Sequence, residues 1–120
     1  MCDIEDQNLP YCATAQVGVI AYSTLQSGLP TASLTRERIA QLSDDDWRKS
    51  RSADFQEPRL SNNLALVEVM AKIGARHEVS AAAVAIAWVL RDPAVTGAIV
   101  GVRRPDLVHE WIDRCHQHSS

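Results

Sequence analysis

Few cysteines, no basic excess, no long apolar run and no glycine-rich phosphate loop: each shortage in this chain removes a class of protein. Three cysteines, Cys2, Cys12 and Cys115, form no CxxC pair and leave one over in any disulfide scheme. That suits a reducing compartment better than a disulfide framework. Twelve Lys and Arg against fifteen Asp and Glu give a net charge of −3, and no basic stripe offers itself to nucleic acid or an anionic membrane. The arginines Arg48, Arg51 and Arg59, and the pair Arg103 and Arg104, are interleaved with acids and read as solvated faces. The longest apolar stretch, Ala81 to Leu90, is far too short to cross a bilayer, and the opening MCDIEDQNLPYC is acidic and unlike a signal peptide. The expectation is a soluble cytoplasmic protein with no nucleic-acid and no membrane partner. Neither the P-loop nor the dinucleotide GxGxxG pattern occurs.

What is present suffices for one modest domain. The chain has 120 residues, 46% hydrophobic and 22% charged, enough to bury a real core. Ile4 to Ala15 reads as a weak helix interrupted by Pro10. Val17 to Ala21 is a run of small and β-branched residues without polar alternation, the pattern of a strand covered on both faces. A Ser/Gly/Pro/Thr loop follows from Tyr22 to about Ser33. Thr35 can cap a short helix through Leu42, and Ser43-Asp44-Asp45-Asp46 resembles a capping box before a helix carrying Trp47. Arg48 to Arg59 reads as an irregular surface connection. Leu60 to His77 repeats apolar residues every three or four positions and predicts an amphipathic helix. Ser80 caps a second helix over Ala81 to Arg91, apolar on most sides and so expected to be buried from more than one direction. Gly97 to Val100 is a second short strand. Pro105 opens a last helix with Val108, Trp111, Ile112 and Cys115 on one side. Strands alternating with helices point to α/β architecture with parallel strands.

In parallel α/β sheets, ligands collect at the carboxyl ends of strands, where backbone N–H groups and helix N-termini face outward. Both strands end suitably. After Ala21 come Tyr22, Ser23, Leu25, Ser27 and Gly28; after Val100 come Gly101, Val102, Arg103 and Arg104. A glycine followed by two guanidiniums at a helix start suits a phosphate. Two ordinary βα loops with solvent-facing arginines account for the same spacing. Other constellations are weaker. His109, Cys115, His116 and His118 lack the tight pairing of a zinc site. Cys12 and Cys115 have no neighbouring base pattern. Asp44 to Asp46 read as a helix N-terminus, and Trp47, Trp88 and Trp111 as packing residues.

The segments LPYC (9–12), GVIAYSTLQSGL (18–29), TRERIAQLSDDDWR (35–48), DFQEPRLSNNLALVE (54–68) and AAVAIAWVLRDPAVTGAIVGVRRPD (82–106) together resemble the C-terminal portion of a bacterial aldo/keto reductase. The resemblance covers nearly the whole chain. It implies that residues 1–120 are a partial domain: the C-terminal part of a TIM (β/α)8 barrel, two parallel strands with helices, the barrel incomplete. It implies NADP(H) across the strand ends and hydride transfer to or from carbonyl compounds. By the same resemblance Tyr22 stacks on the nicotinamide, and Ser23, Leu25, Gln26, Ser27 and Gly28 wrap the diphosphate. Gly101, Val102 and Arg103 match the adenosine-phosphate loop, and Glu110 an acid near the adenine. The chain departs from the family pattern at Leu107 and Trp111, where polar residues are usual, and at Pro30, Ala32 and Ser33. Losing one charged hydrogen bond costs on the order of 1.5–3 kcal/mol, so cofactor binding is expected to be weakened or lost.

The family's catalytic Asp, Tyr, Lys and His match no position here. The resemblance therefore implies no carbonyl reduction by this chain alone, since hydride transfer to a carbonyl also needs a proton donor. Three readings follow. The chain is a truncated reductase that keeps part of the cofactor face; or a non-enzymatic, helix-rich interaction module; or one half of a split enzyme. Its partners are accordingly another copy of itself or a complementary half-barrel, with a carbonyl substrate only when completed.

Overall fold

The computed structural model describes residues 4–30 and 34–115, giving the backbone alone at Gln26 and at 112–115. The expectations for Cys2, Ala32, Ser33, His116 and His118 lie outside the described residues. Two helices form the scaffold. Helix α4 spans Arg59–Arg76 and α5 spans Ala81–Leu90; α1 (Asn8–Ala15), α2 (Arg36–Ala40) and α3 (Trp47–Ser50) precede them. Ser80 caps α5 as its spacing predicts, its hydroxyl accepting the Ala83 N–H at 3.2 Å. The two helices meet at a 93° bend. Gly74 makes that bend possible, because a Cβ there would stand 2.4 Å from the Val79 carbonyl oxygen.

The sheet has two parallel strands, β1 (Val19–Ala21) and β2 (Val95–Ala98). Val19 faces Val95, Ile20 faces Gly97 and Ala21 faces Ala98, so Thr96 is an extra residue on β2. Both strands depart from the expected spans for local reasons. Helix α1 (Asn8–Ala15) ends with Gln16 left-handed at φ 56. The Val17 N–H then returns to the Cys12 carbonyl at 2.9 Å, a Schellman closure that keeps Val17 out of the strand. After α5, the Asp92 side chain accepts the Ala94 N–H at 2.9 Å and its carbonyl accepts the Val95 N–H at 3.0 Å. This tight turn starts β2 at Val95, two residues early. Past its end, the Ile99 N–H still donates to the Ala21 carbonyl at 2.7 Å.

Two apolar clusters hold these elements. The first joins Leu25, Ala82, Ala83, Ala85, Ile86 and Trp111, with Met70, Val79, Ala98, Val100 and Leu107 against it. Trp111 comes from α6 (Pro105–Cys115). The second joins Leu29, Ile39, Phe55 and Leu60, flanked by Leu34, Leu42 and Leu64. Ile39 lies on α2 (Arg36–Ala40), where Thr35 caps through the Arg38 N–H at 3.3 Å.

Several expectations are corrected. The stretch 48–59 is not simply irregular: it holds most of α3 (Trp47–Ser50) and a 3-10 turn, Ala53–Phe55, that buries Phe55. Asp46, not Ser43, caps α3, because its carboxylate accepts the Arg48 N–H at 3.0 Å while the Ser43 hydroxyl is engaged by Asp45. Of the three tryptophans only Trp111 is packed; Trp47 and Trp88 are 53% and 60% exposed. Helix α5 is buried over its first half alone, and Trp88 and Leu90 near its end face solvent.

The accessible surface is 8541 Å², whereas a closed monomer of this mass exposes about 6400 Å². A two-stranded sheet cannot cover its own edges and faces, and Ile20 and Ile99 are exposed on it. Among the described residues no single helix is long and apolar enough to cross a membrane.

Gly74→Ala should destabilise the chain by about 1–3 kcal/mol, since the new methyl meets rigid backbone at the α4–α5 bend. Gly101→Ala, where nothing stands within 4 Å, should leave stability nearly unchanged. Urea unfolding of the two variants against the parent checks the contrast.

Candidate functional site

Parallel pairing puts the carboxyl ends of β1 and β2 on the same edge of the sheet, so the two following loops open on one side. The loop after β1 alternates anchors with exposed residues. Thr24, Leu25, Leu29 and Pro30 are buried, while Tyr22, Ser23 and Ser27 are exposed. Leu25 sits in the first cluster and Leu29 in the second, so the loop is pinned from both sides. Between the pins Ser27 has φ 60 and Gly28 φ 94, and Ser23 just before them has φ 57. The Gly28 N–H closes this turn onto the Leu25 carbonyl at 2.8 Å, leaving the exposed Ser23 and Ser27 as the outward groups of the loop. A glycine is required at 28, where other residues are strained. Leu25 can serve a ligand only through its backbone, its side chain being core. The side chain of Gln26 lies outside the described residues.

After β2 the residues Gly101, Val102, Arg103 and Arg104 are all exposed. Nothing stands within 4 Å of where a side chain would begin at Gly101, so a ligand can approach the backbone closely. Arg104 pairs with Asp106 at 2.8 Å, and Arg103 stands in solvent at the start of α6. Glu110, on α6, is half-buried. Leu107 and Trp111 pack into the first cluster. That explains the apolar residues at these two positions: here they serve the core.

The charge of Arg103 also reaches Asp46. The Arg48 guanidinium, donating to both Asp46 carboxylate oxygens at 3.0 and 2.7 Å, and the Arg48 backbone N–H hold the Asp46 carboxyl at about 2; Arg103 adds a smaller share. The α3 terminus is therefore an electrostatic neighbour of the second loop, which sequence spacing does not reveal.

A cavity of about 410 Å³ lies beside β1, between the residues preceding α1 and the end of α5. Val19 through Thr24 all line it, together with Ile4, Leu9, Trp88 and Val89. At its rim Arg91 lies 3.9 Å over the Trp88 ring and pairs with Glu5 at 3.0 Å. Thr24 is 3% exposed, and among the described residues its hydroxyl has no hydrogen-bond partner. Reading the loop as a row of hydroxyls passes over Thr24, because nothing local marks it as buried. Among the described residues no three His, Cys, Asp or Glu side chains gather as metal ligands.

Comparison with known proteins gives one consistent answer. Residues 1–119 match the Aldo/keto reductase family. The chain is 30% identical over 104 residues to Aldo-keto reductase YhdN of Bacillus subtilis (strain 168), covering 86% of this chain and 30% of that protein. It is 24% identical over 107 residues to the NADH-specific methylglyoxal reductase of Escherichia coli (strain K12), covering 89% and 31%. Its fold matches the glycerol dehydrogenase AKR11B4 from Gluconobacter oxydans with a TM-score of 0.76 and 29% identity, over 95% of this chain and 36% of that one. The chain thus spans about a third of the length of these relatives.

The Asp46 carboxyl, lowered from an ordinary 3.8 to about 2 by Arg48, favours the folded state wherever the unfolded group has already lost its proton. That contribution fades as pH falls through about 2. Asp46→Asn, which keeps a capping side chain, should therefore melt below the parent near neutral pH and converge with it in strong acid. Thermal melts across that range check the sign.

Proposed function

Because the chain belongs to the aldo/keto reductase family, its two parallel strands and their helices are part of a (β/α)8 barrel, and we propose that it holds a nicotinamide dinucleotide, NADP(H), across the carboxyl ends of β1 and β2. The observation that carries this reading is the parallel pairing of β1 with β2, which brings both candidate loops to one edge. The residues present suit the group. The exposed Ser23 and Ser27, held in left-handed turns, would offer hydroxyls to a diphosphate, and Gly28, whose own N–H closes the turn onto Leu25, presents no side chain to block it. The open approach at Gly101 and the exposed Arg103 suit the adenosine phosphate. Tyr22, 75% exposed, is available as a flat platform for the nicotinamide. Glu110, half-buried further along α6, would then face the adenine. When bound, such a dinucleotide supplies a hydride.

These residues would bind and orient the dinucleotide without completing a carbonyl reduction. Both lysines are engaged on helices or their flanks: Lys49 with Asp44 at 2.7 Å and Lys72 with Glu68 at 2.9 Å. With both lysines so engaged, we assign neither Tyr11 nor Tyr22 the role of proton donor. The carbonyl substrates of the family would then require residues beyond those present here. Cys12 is a free thiol, in keeping with a cytoplasmic setting.

Titration of the purified chain with NADPH should give thermal stabilisation and a change in nicotinamide fluorescence. Arg103→Ala should weaken NADPH by about tenfold or more and NADH much less, since NADH lacks the 2′-phosphate. No stabilisation at millimolar NADPH overturns the binding claim. Consumption of NADPH with an aldehyde by the purified chain overturns the claim of inactivity.

A further inference from the structure

We propose that Arg48 is a specificity-determining positioning residue of the dinucleotide site: by occupying the Asp46 carboxylate it keeps Arg103 free for the phosphate on the adenosine ribose, and so favours NADP(H) over NAD(H). This role rests on the dinucleotide reading of the two loops. Charge around the second loop is shared out in pairs. On α3 and its approach, Asp44 pairs with Lys49 at 2.7 Å, the Ser43 hydroxyl donates to Asp45, and Asp46 is held by Arg48. Ahead of α6, Arg104 pairs with Asp106 at 2.8 Å. Arg103, exposed beside it, makes no ion pair at contact distance among the described residues, although its charge reaches the Asp46 carboxylate.

Capping explains only part of what holds Asp46. A helix N-cap needs one side-chain oxygen to accept a backbone N–H, and Oδ1 accepts that of Arg48 at 3.0 Å. The Arg48 guanidinium adds a fork, Nε to Oδ1 at 3.0 Å and a terminal nitrogen to Oδ2 at 2.7 Å, so both oxygens are taken. The Arg48 and Asp46 side chains are only 17% and 20% exposed, and a carboxylate drawn away from water needs its cation the more. Helix α3 is itself fastened. The Lys49 ammonium donates to the Leu42 carbonyl at 3.2 Å, and Leu42 packs on the cluster that holds Leu29, the far anchor of the loop after β1. Asp46 is thus held in place relative to the first loop and within reach of the Arg103 charge. Remove the Arg48 fork, and Arg103 becomes a cation for the vacated carboxylate. A guanidinium engaged in that way offers a phosphate less charge and fewer N–H groups. The ribose phosphate is what separates NADPH from NADH, so the loss falls on one cofactor.

The test is calorimetric titration of the full chain with NADPH and with NADH. Arg48→Met should weaken NADPH about two- to fivefold, the weight of one exposed ion pair, and leave NADH unchanged. The double variant, Asp46→Asn with Arg48→Met, should return NADPH to the parent's affinity, since no carboxylate is left to capture Arg103. Arg48→Lys, which keeps a cation on Asp46, should stay close to the parent. A merely structural role would weaken both cofactors alike and would gain nothing from the second substitution. Heteronuclear NMR of the parent chain without cofactor reads the same partition directly. The Arg48 Nε–H should exchange slowly with water and the Arg103 Nε–H rapidly; in Arg48→Met the Arg103 signal should slow. Where Arg48→Met fails to fold, the two exchange rates in the parent decide. Equal loss of NADPH and NADH, absence of rescue in the double variant, or a slowly exchanging Arg103 in the parent each overturns the proposal. A parent and an Arg48→Met variant that bind NADPH equally well defeat this role and leave the dinucleotide reading standing. A parent that takes no NADPH at millimolar concentration defeats that reading, and this role with it.

Discussion

Three residue pairs between β1 and β2 set the geometry on which the rest depends. Parallel strands cannot be joined by a hairpin, so residues 22–94 must leave one end of the sheet and return to the other. Closing such a loop is entropically unfavourable, and a short ladder alone does not offset it. The offset comes from α4 and α5, which form part of the crossover and share the first apolar cluster with Ala98 of β2, and from the bend at Gly74 that lets α5 return toward the sheet. The parallel sense of the ladder then fixes where chemistry can occur, since both strands finish at the same edge.

The loop after β1 owes its shape to both apolar clusters. Leu25 belongs to one and Leu29 to the other, with the left-handed Ser27 and Gly28 between them. Neither anchor alone would hold the turn. Disturbing the second cluster, far from the sheet, would therefore alter the backbone that follows Tyr22. The second loop is fastened differently. Its Arg104 is tied to Asp106, its helix is locked through Trp111, and its Arg103 feels the Asp46 carboxylate from α3.

Much of this was legible in the residues. Helices α4 and α5 follow from apolar spacing and the Ser80 cap, and the two candidate loops from small polar residues placed directly after apolar runs. Strand boundaries were not legible, because a Schellman closure at Gln16 and a side-chain turn at Asp92 decide them. Phe55 stands alone in a charged stretch and has no period to betray its burial. Trp88 failed in the opposite way: residue type reports the gain from leaving water, not whether a neighbour is there to cover the ring. Thr24 was missed for a related reason, since its isolation is a property of the cavity around it. The residue identities that single out the aldo/keto reductase family lie in the loops and around α5, where the local pattern was clear.

The second apolar cluster draws all its buried members, Leu29, Ile39, Phe55 and Leu60, from one continuous stretch, whereas the first must bring Leu25 to Trp111. Contacts close in sequence form sooner than distant ones. The nascent chain would thus gather its middle first and zip the ladder last, and that ladder would be the first part to open in thermal fluctuations. Pulse-labelling of backbone amides during refolding would record this order as early protection around Ile39 and late protection at Ile20.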